Sequence, residues 1–113
     1  RNYQVKDRPL LRFAGQMTGV EGYMESTASG LVAGVALAKA LLGEPEPDFT
    51  GDTVLGALAL HVTTPTGDFQ PMNANFGILR PLDERVRGKR SRYEKLAGRS
   101  LETLKTVITN YAL

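Results

Sequence analysis

Apolar and polar positions divide the chain into a few short elements. Leu10, Leu11 and Phe13 cluster behind Pro9 and predict a buried strand over 10–14. From Val20 the spacing turns helical. Met24, Ala28, Leu31, Val35, Ala38 and Leu42 recur at three- and four-residue steps, predicting a helix over 21–42 with this stripe inward. Gly43 stands where helices commonly close in left-handed backbone. A second stripe on the same helix, Ser26, Gly30, Gly34 and Ala38, is uniformly small. Glycine inside a helix costs about 1 kcal/mol against alanine. Two of them on one face point to close approach by a sheet or cofactor, or to loose packing on another helix.

Further along, Glu44-Pro-Glu-Pro-Asp48 reads as a stiff acidic linker without chemistry of its own. Asp52 or Thr53 caps a short apolar helix over Val54–Val62. His61, the single histidine, reads as a packed or capping residue rather than a base or ligand. Residues 63–82 carry three prolines and no periodicity, which marks a functional or irregular loop. A final helix starting near Asp83 presents Tyr93, Leu96, Ala97, Leu101, Leu104, Ile108 and Tyr111 as its apolar stripe. Residues 1–8 read as a polar lead-in. One five-residue strand cannot make a sheet, so the pattern implies partner strands supplied elsewhere.

The junction between strand and first helix carries the candidate chemistry. Gly15, Gly19 and Gly22 open the backbone where the chain enters the helix. Amides at such a turn favour an anionic group, and bare glycines let a flat ring lie against the main chain. The spacing is not the GxGxxG order of a first-strand dinucleotide fingerprint.

The net charge of +2 hides an asymmetry. Residues 1–79 hold five Lys or Arg against eight Asp or Glu, whereas residues 80–113 hold nine against four. Arg85, Arg87, Lys89, Arg90 and Arg92 place five cations in eight residues, a pattern suited to phosphate contact. With no cysteine, disulfides and thiolate metal sites are excluded. No apolar run reaches the roughly 18 residues of a membrane span, and residues 1–8 contain no secretory hydrophobic region. These features fit a cytoplasmic protein.

The segment FAGQMTGVEGYMESTASGLVAG resembles the C-terminal flavin-contacting stretch of the folate- and FAD-dependent tRNA (uracil-5-)-methyltransferases, in the glucose-inhibited division protein A-like flavoprotein family. Phe69-Gln-Pro-Met-Asn-Ala-Asn-Phe-Gly77 and the basic run before the last helix resemble further hallmarks, in the same order. The sister family acting on the tRNA wobble uridine is the runner-up, and a non-enzymatic RNA-binding or interaction module is a second alternative.

The resemblance implies an α/β fold: a C-terminal fragment of a Rossmann-like FAD-binding domain, mostly helical, with a short strand and a C-terminal helix. Residues 1–43 would be its strand–turn–helix piece, 44–82 a linker, short helix and long loop, and 83–113 the basic terminal helix. FAD would be held by Gly15, Gln16, Met17, Thr18, Gly19, Val20, Glu21, Gly22 and Tyr23, with Tyr23 stacked on the ring. Methylenetetrahydrofolate and NAD(P)H would be co-substrates. The partners would be tRNA, contacted by Asn73, Asn75, Arg85, Arg87, Lys89, Arg90 and Arg92, the remainder of the FAD-binding protein, and in one reading a second copy of the chain. Glu21 and Glu25 would cap or orient the turn. The family's reactive cysteine has no counterpart here, so the fragment alone is expected to be inactive, with no catalytic or metal-binding residue of its own.

Overall fold

The structure, a computed structural model, describes residues 2–64, 67, 70 and 73–113. Its elements are β1 (Gln4–Val5), β2 (Arg8–Arg12), α1 (Tyr23–Leu41), α2 (Val54–Thr63) and α3 (Lys89–Tyr111), with single 3-10 turns at Gln16–Thr18 and Phe76–Ile78. Among the described residues three helices and one two-stranded sheet make a mixed α/β piece. The residues expected to be a polar lead-in supply a strand. Lys6 and Asp7 close a hairpin in which Gln4 faces Arg12 and Val5 faces Arg8, antiparallel. Asp7 turns the chain at φ 63°, a left-handed conformation that Asp tolerates.

The strand expected to be buried is largely exposed, with Leu10 at 60%. A two-stranded ribbon has two faces, and α1 packs against β2 from one side only. Tyr3 is the hairpin's anchor. It joins Val32, Ala33, Phe49, Ala59 and Val107 in the main core, with Leu55, Val62 and Leu104 packed around them.

The buried stripe of α1 is Ser29, Val32, Ala33 and Ala36. It lies one residue, about 100° of helix, from the expected stripe, and Met24 and Leu42 are 80% and 72% exposed. Ser29 explains the rotation. Its hydroxyl, fully buried, accepts the Gly15 amide at 2.8 Å and donates to the Ser26 carbonyl at 2.7 Å. A helix that must present Ser29 to the glycine corner cannot also bury Met24 and Leu31. Gly30 and Gly34 face open space among the described residues. The helix ends as expected: the Gly43 amide bonds to the Ala40 carbonyl at 3.1 Å and the Glu44 amide to Lys39 at 2.9 Å, with Gly43 at φ 71°.

Thr53, not Asp52, caps α2 by accepting the Gly56 amide at 2.9 Å. Gly56 lies so close to the preceding loop that a Cβ there would stand 1.9 Å from the Thr50 carbonyl oxygen. Asp52 instead grips Arg80 through Nε at 2.5 Å and Nη2 at 3.0 Å, with Arg99 Nε 3.6 Å away. Arg99 in turn donates to the carbonyls of Pro81 and Arg80. This cluster ties the 79–82 segment to both α2 and α3. A second core forms beneath it from Ala57, Leu79 and Leu96, with Phe76, Leu82 and Tyr93 at its edge.

The last helix begins at Lys89 rather than near Asp83, because Gly88 at φ 85° stands outside helical backbone. Leu96 and Val107 are its buried positions, while Leu101 and Ile108 of the expected stripe are exposed. The 44–48 linker also does more than its composition announced. Glu46 accepts from the buried Arg12 guanidinium at 2.8 Å, and the Pro47 carbonyl accepts from Asn2 at 3.2 Å. Among the described residues no helix is long and apolar enough to cross a membrane.

Candidate functional site

The glycine corner is built from three left-handed glycines: Gly15 at φ 80°, Gly19 at 101° and Gly22 at 98°. Between the first two, one 3-10 turn carries Gln16, Met17 and Thr18. The Thr18 amide and hydroxyl both donate to the Gly15 carbonyl, at 3.0 and 2.7 Å, and the Gly19 amide donates to Gln16 at 3.0 Å. Together with the Gly15–Ser29 bond, three corner amides are thus held by the chain itself. Val20 is buried beneath the turn. The corner is preformed by short-range bonds, not left slack for a ligand to order.

Gly22 precedes α1, and no side chain caps the helix there. Glu25 lies in the first turn. Bonds to its own amide and to that of Ala74 hold its carboxyl below the usual carboxylate range. The Ala74 amide donates to Glu25 Oε1 at 3.0 Å, and Asn73 Nδ2 donates to the Glu21 carbonyl at 2.9 Å. A Cβ on Gly22 would fall 2.2 Å from Glu25 Oε2 and 2.8 Å from Asn73 Nδ2. The bare backbone at Gly22 is therefore what lets the 73–77 segment close on the corner. Glu25 thus holds the 73–77 segment to the first turn of α1.

Around this junction exposed apolar side chains stand beside polar ones. Tyr23 is 96% exposed and Met17 72%, so neither packs in a core of the described residues. A cavity of about 400 Å³ lies between Gln16, Gly22, Tyr23 and Ser26. An unburied aromatic face thus stands beside the Gln16 side chain at the helix start. The Glu25 carboxylate opposes a fully negative group at the same spot. The sites named from the sequence thus fall into two groups. Gln16, Met17, Gly22 and Tyr23 border open surface, and so does Glu21, whose carbonyl takes the Asn73 amide, whereas Gly15, Thr18, Gly19 and Val20 build the turn beneath.

Asn73 and Asn75 are both bonded to backbone. Asn75 caps the second 3-10 turn by accepting the Gly77 amide at 2.8 Å. Phe69, Pro71 and Met72 of the same motif lie outside the described residues. The basic run is exposed throughout and divides at Gly88: Arg85 and Arg87 precede α3, while Lys89, Arg90 and Arg92 form its first turn with no acidic residue among them. Lys89 and Arg92 stand over the Tyr93 ring, 5.5 and 5.8 Å from its centroid. Among the described residues none lines both the cavity at the glycine corner and the cavities beside the basic run. Ser29 is the functional support that sequence reasoning missed; its place in a small-residue helix beside three glycines was the available signal.

The junction is thus a hairpin feeding a glycine corner that a distant Asn-Ala-Asn segment closes. Comparison with known proteins gives the family. The family model described as "Glucose inhibited division protein A" matches residues 1–45. The chain is 52% identical over 106 residues to the methylenetetrahydrofolate–tRNA-(uracil-5-)-methyltransferase TrmFO of Bacillus subtilis (strain 168), covering 93% of this chain and 24% of that protein. Identity is 53% over 110 residues to the TrmFO of Streptococcus thermophilus, covering 96% of this chain and 25% of that protein. For the Enterococcus faecalis TrmFO it is 52% over 107 residues, covering 94% and 25%. The chain belongs to this family, as the resemblance in its motifs implied, and it spans about a quarter of the length of the curated relatives it matches.

Proposed function

We propose that the chain is the flavin-facing segment of a folate- and FAD-dependent tRNA (uracil-5-)-methyltransferase that forms 5-methyluridine in the T loop. One observation carries this reading. The two motifs that resemble the family, 13–26 and 69–77, meet in space through Glu25–Ala74 and Glu21–Asn73. Residues 49 and 52 positions apart are joined at the corner where a ring would lie. Similarity to the relatives also runs well past residue 45, where the family model stops, which favours this activity over wobble-uridine chemistry.

In this reading the hairpin, corner and α1 complete a larger Rossmann-like FAD domain, whose remaining elements cover the exposed faces of β2 and α1. Tyr23 and Met17 offer the ring its apolar contact, and Gln16 offers a hydrogen bond at its edge. Reduced FAD would supply the hydride and methylenetetrahydrofolate the carbon, with NAD(P)H as the source of electrons. Glu25 holds the 73–77 segment in place and carries no proton in the reaction. The basic run takes tRNA phosphates, positioning the substrate without reading its sequence. With tRNA as substrate, the reading expects a cytoplasmic protein. Self-association of the isolated segment through the β2 edge is part of the same proposal.

The test is nucleoside mass spectrometry of tRNA after incubation with the intact protein that carries this segment, methylenetetrahydrofolate, FAD and NAD(P)H. The reading expects 5-methyluridine confined to the T loop. Modification at the wobble position instead, or none at all, overturns it.

A further inference from the structure

The proposed flavin-facing corner leaves unused a cavity of about 500 Å³ between residues 76–86 and the start of α3. Its floor includes Phe76, Leu82 and Tyr93, and its rim includes Glu84, Arg85 and Arg92. The Phe76 and Tyr93 rings stand 4.7 Å apart between centroids, tilted by 38°. Tyr93 is also a wall of two adjoining depressions, one beside Lys89 and Arg90 and one beside Asn75 and Phe76. A single half-buried aromatic therefore sits at the meeting point of three hollows.

The charges around it are arranged for a polyanion. Glu84, the acidic residue on the rim, is paired with Lys95 at 2.6 Å. Arg90 is paired with Glu94 at 3.2 Å on the outer face of the helix. Among the described residues Arg85, Arg87, Lys89 and Arg92 have no carboxylate partner, and two of these four lie over the Tyr93 ring. A small anion needs one or two cations. A row along both the loop and the first helical turn matches successive phosphates of a strand. The apolar floor then has a purpose that phosphate contact alone does not require. A base with a free face can stack there, whereas bases inside a duplex have none to offer.

We propose that this cavity receives one unpaired nucleotide of an RNA loop, its base against Tyr93 and Phe76 and its flanking phosphates on Arg85 and Arg92. The inference rests on the RNA-substrate reading above and adds to it a place where single-stranded RNA is told from duplex.

The experiment measures binding of the intact protein to a short RNA stem-loop and to a fully paired duplex of equal length, across a salt series. The stem-loop is expected to bind more tightly. Tyr93→Leu is expected to weaken the stem-loop about tenfold, leaving the duplex unchanged, while Tyr93→Phe retains the preference. The double variant Arg85→Gln, Arg92→Gln is expected to weaken both RNAs and to reduce the salt slope by about two. In parallel, 5-bromouridine in the loop is expected to photocrosslink to the peptide containing Tyr93. Thermal melting checks that each variant folds, and the Tyr93→Phe result reads the site even where Tyr93→Leu does not fold. Equal affinity for the two RNAs, or loop crosslinks that avoid the 76–96 region, overturns the cavity while leaving RNA binding intact. Saturation of the cavity by a free mononucleotide or a pterin, without preference for the loop, overturns it too. No binding to either RNA removes the RNA reading as well.

Discussion

The Ala74 amide donates to the Glu25 carboxylate at 3.0 Å, and that bond closes the asparagine-rich segment onto the first turn of α1. Its consequence is local and measurable. Replacing Glu25 with Ala releases the Ala74 amide and frees the segment. Hydrogen exchange at Ala74 is expected to accelerate several-fold, with the hairpin amides unchanged. Equal protection in both proteins would show that the segment is held by something else.

Two glycines in neighbouring helices should respond in opposite directions to the same change. Gly56→Ala drives a methyl group into the Thr50 carbonyl, so urea unfolding is expected to show a loss of about 3 kcal/mol or more. Gly34→Ala meets nothing within 4 Å and gains helix propensity, so this chain is expected to gain about 1 kcal/mol. In the intact protein Gly34→Ala becomes destabilising if a further element of the proposed FAD domain lies on that face.

Acid should loosen the 79–82 segment. The Arg80 hydrogen bonds, and secondarily the Arg99 charge, hold the Asp52 carboxyl below its usual range. A depressed folded pKa contributes stability that is complete above the unfolded value of about 3.9 and is lost as pH falls through the folded value. Asp52→Asn is expected to lower stability at neutral pH and to flatten its dependence below about pH 4. A chevron or melting series from pH 2 upward reads both effects.

Alkali should act through Tyr3. Burial pushes its hydroxyl up to about 12, and among the described residues that oxygen has no hydrogen-bond partner. The stability linked to a neutral Tyr3 is complete below about pH 10 and is lost as pH rises through the folded value. Tyr3→Phe is expected to gain about 1 kcal/mol at neutral pH and to remove the alkaline loss. A loss of stability on this substitution would mean that the hydroxyl has a partner.

What the sequence disclosed follows the range of the interactions involved. Gly43 ended α1 and Thr53 capped α2 where the pattern put them, because both signals act within a few residues. The glycine corner was legible for the same reason. Periodicity showed that α1 has an apolar stripe but not which face the core would take, and Ser29 decided that through a bond to Gly15, 14 residues away. Gly88 displaced the start of α3 from Asp83, a single backbone conformation inside an otherwise charged run. Arg12–Glu46 and Asp52–Arg80 join residues 34 and 28 positions apart, and nothing in local spacing announces such pairs. At the site, the corner residues were legible by type. Their division into those that build the turn and those that border open surface needed the coordinates.

The claim that Tyr23 and its corner face a flavin is tested most directly by titrating FAD into the intact protein and its Tyr23→Ala variant, following quenching of flavin fluorescence. Tyr23 is almost wholly exposed in this chain, and thermal melting of both intact proteins separates lost packing from lost ligand contact. The account predicts affinity weaker by about tenfold in the variant, the worth of one aromatic stacking contact. Equal affinity in the two proteins would contradict it.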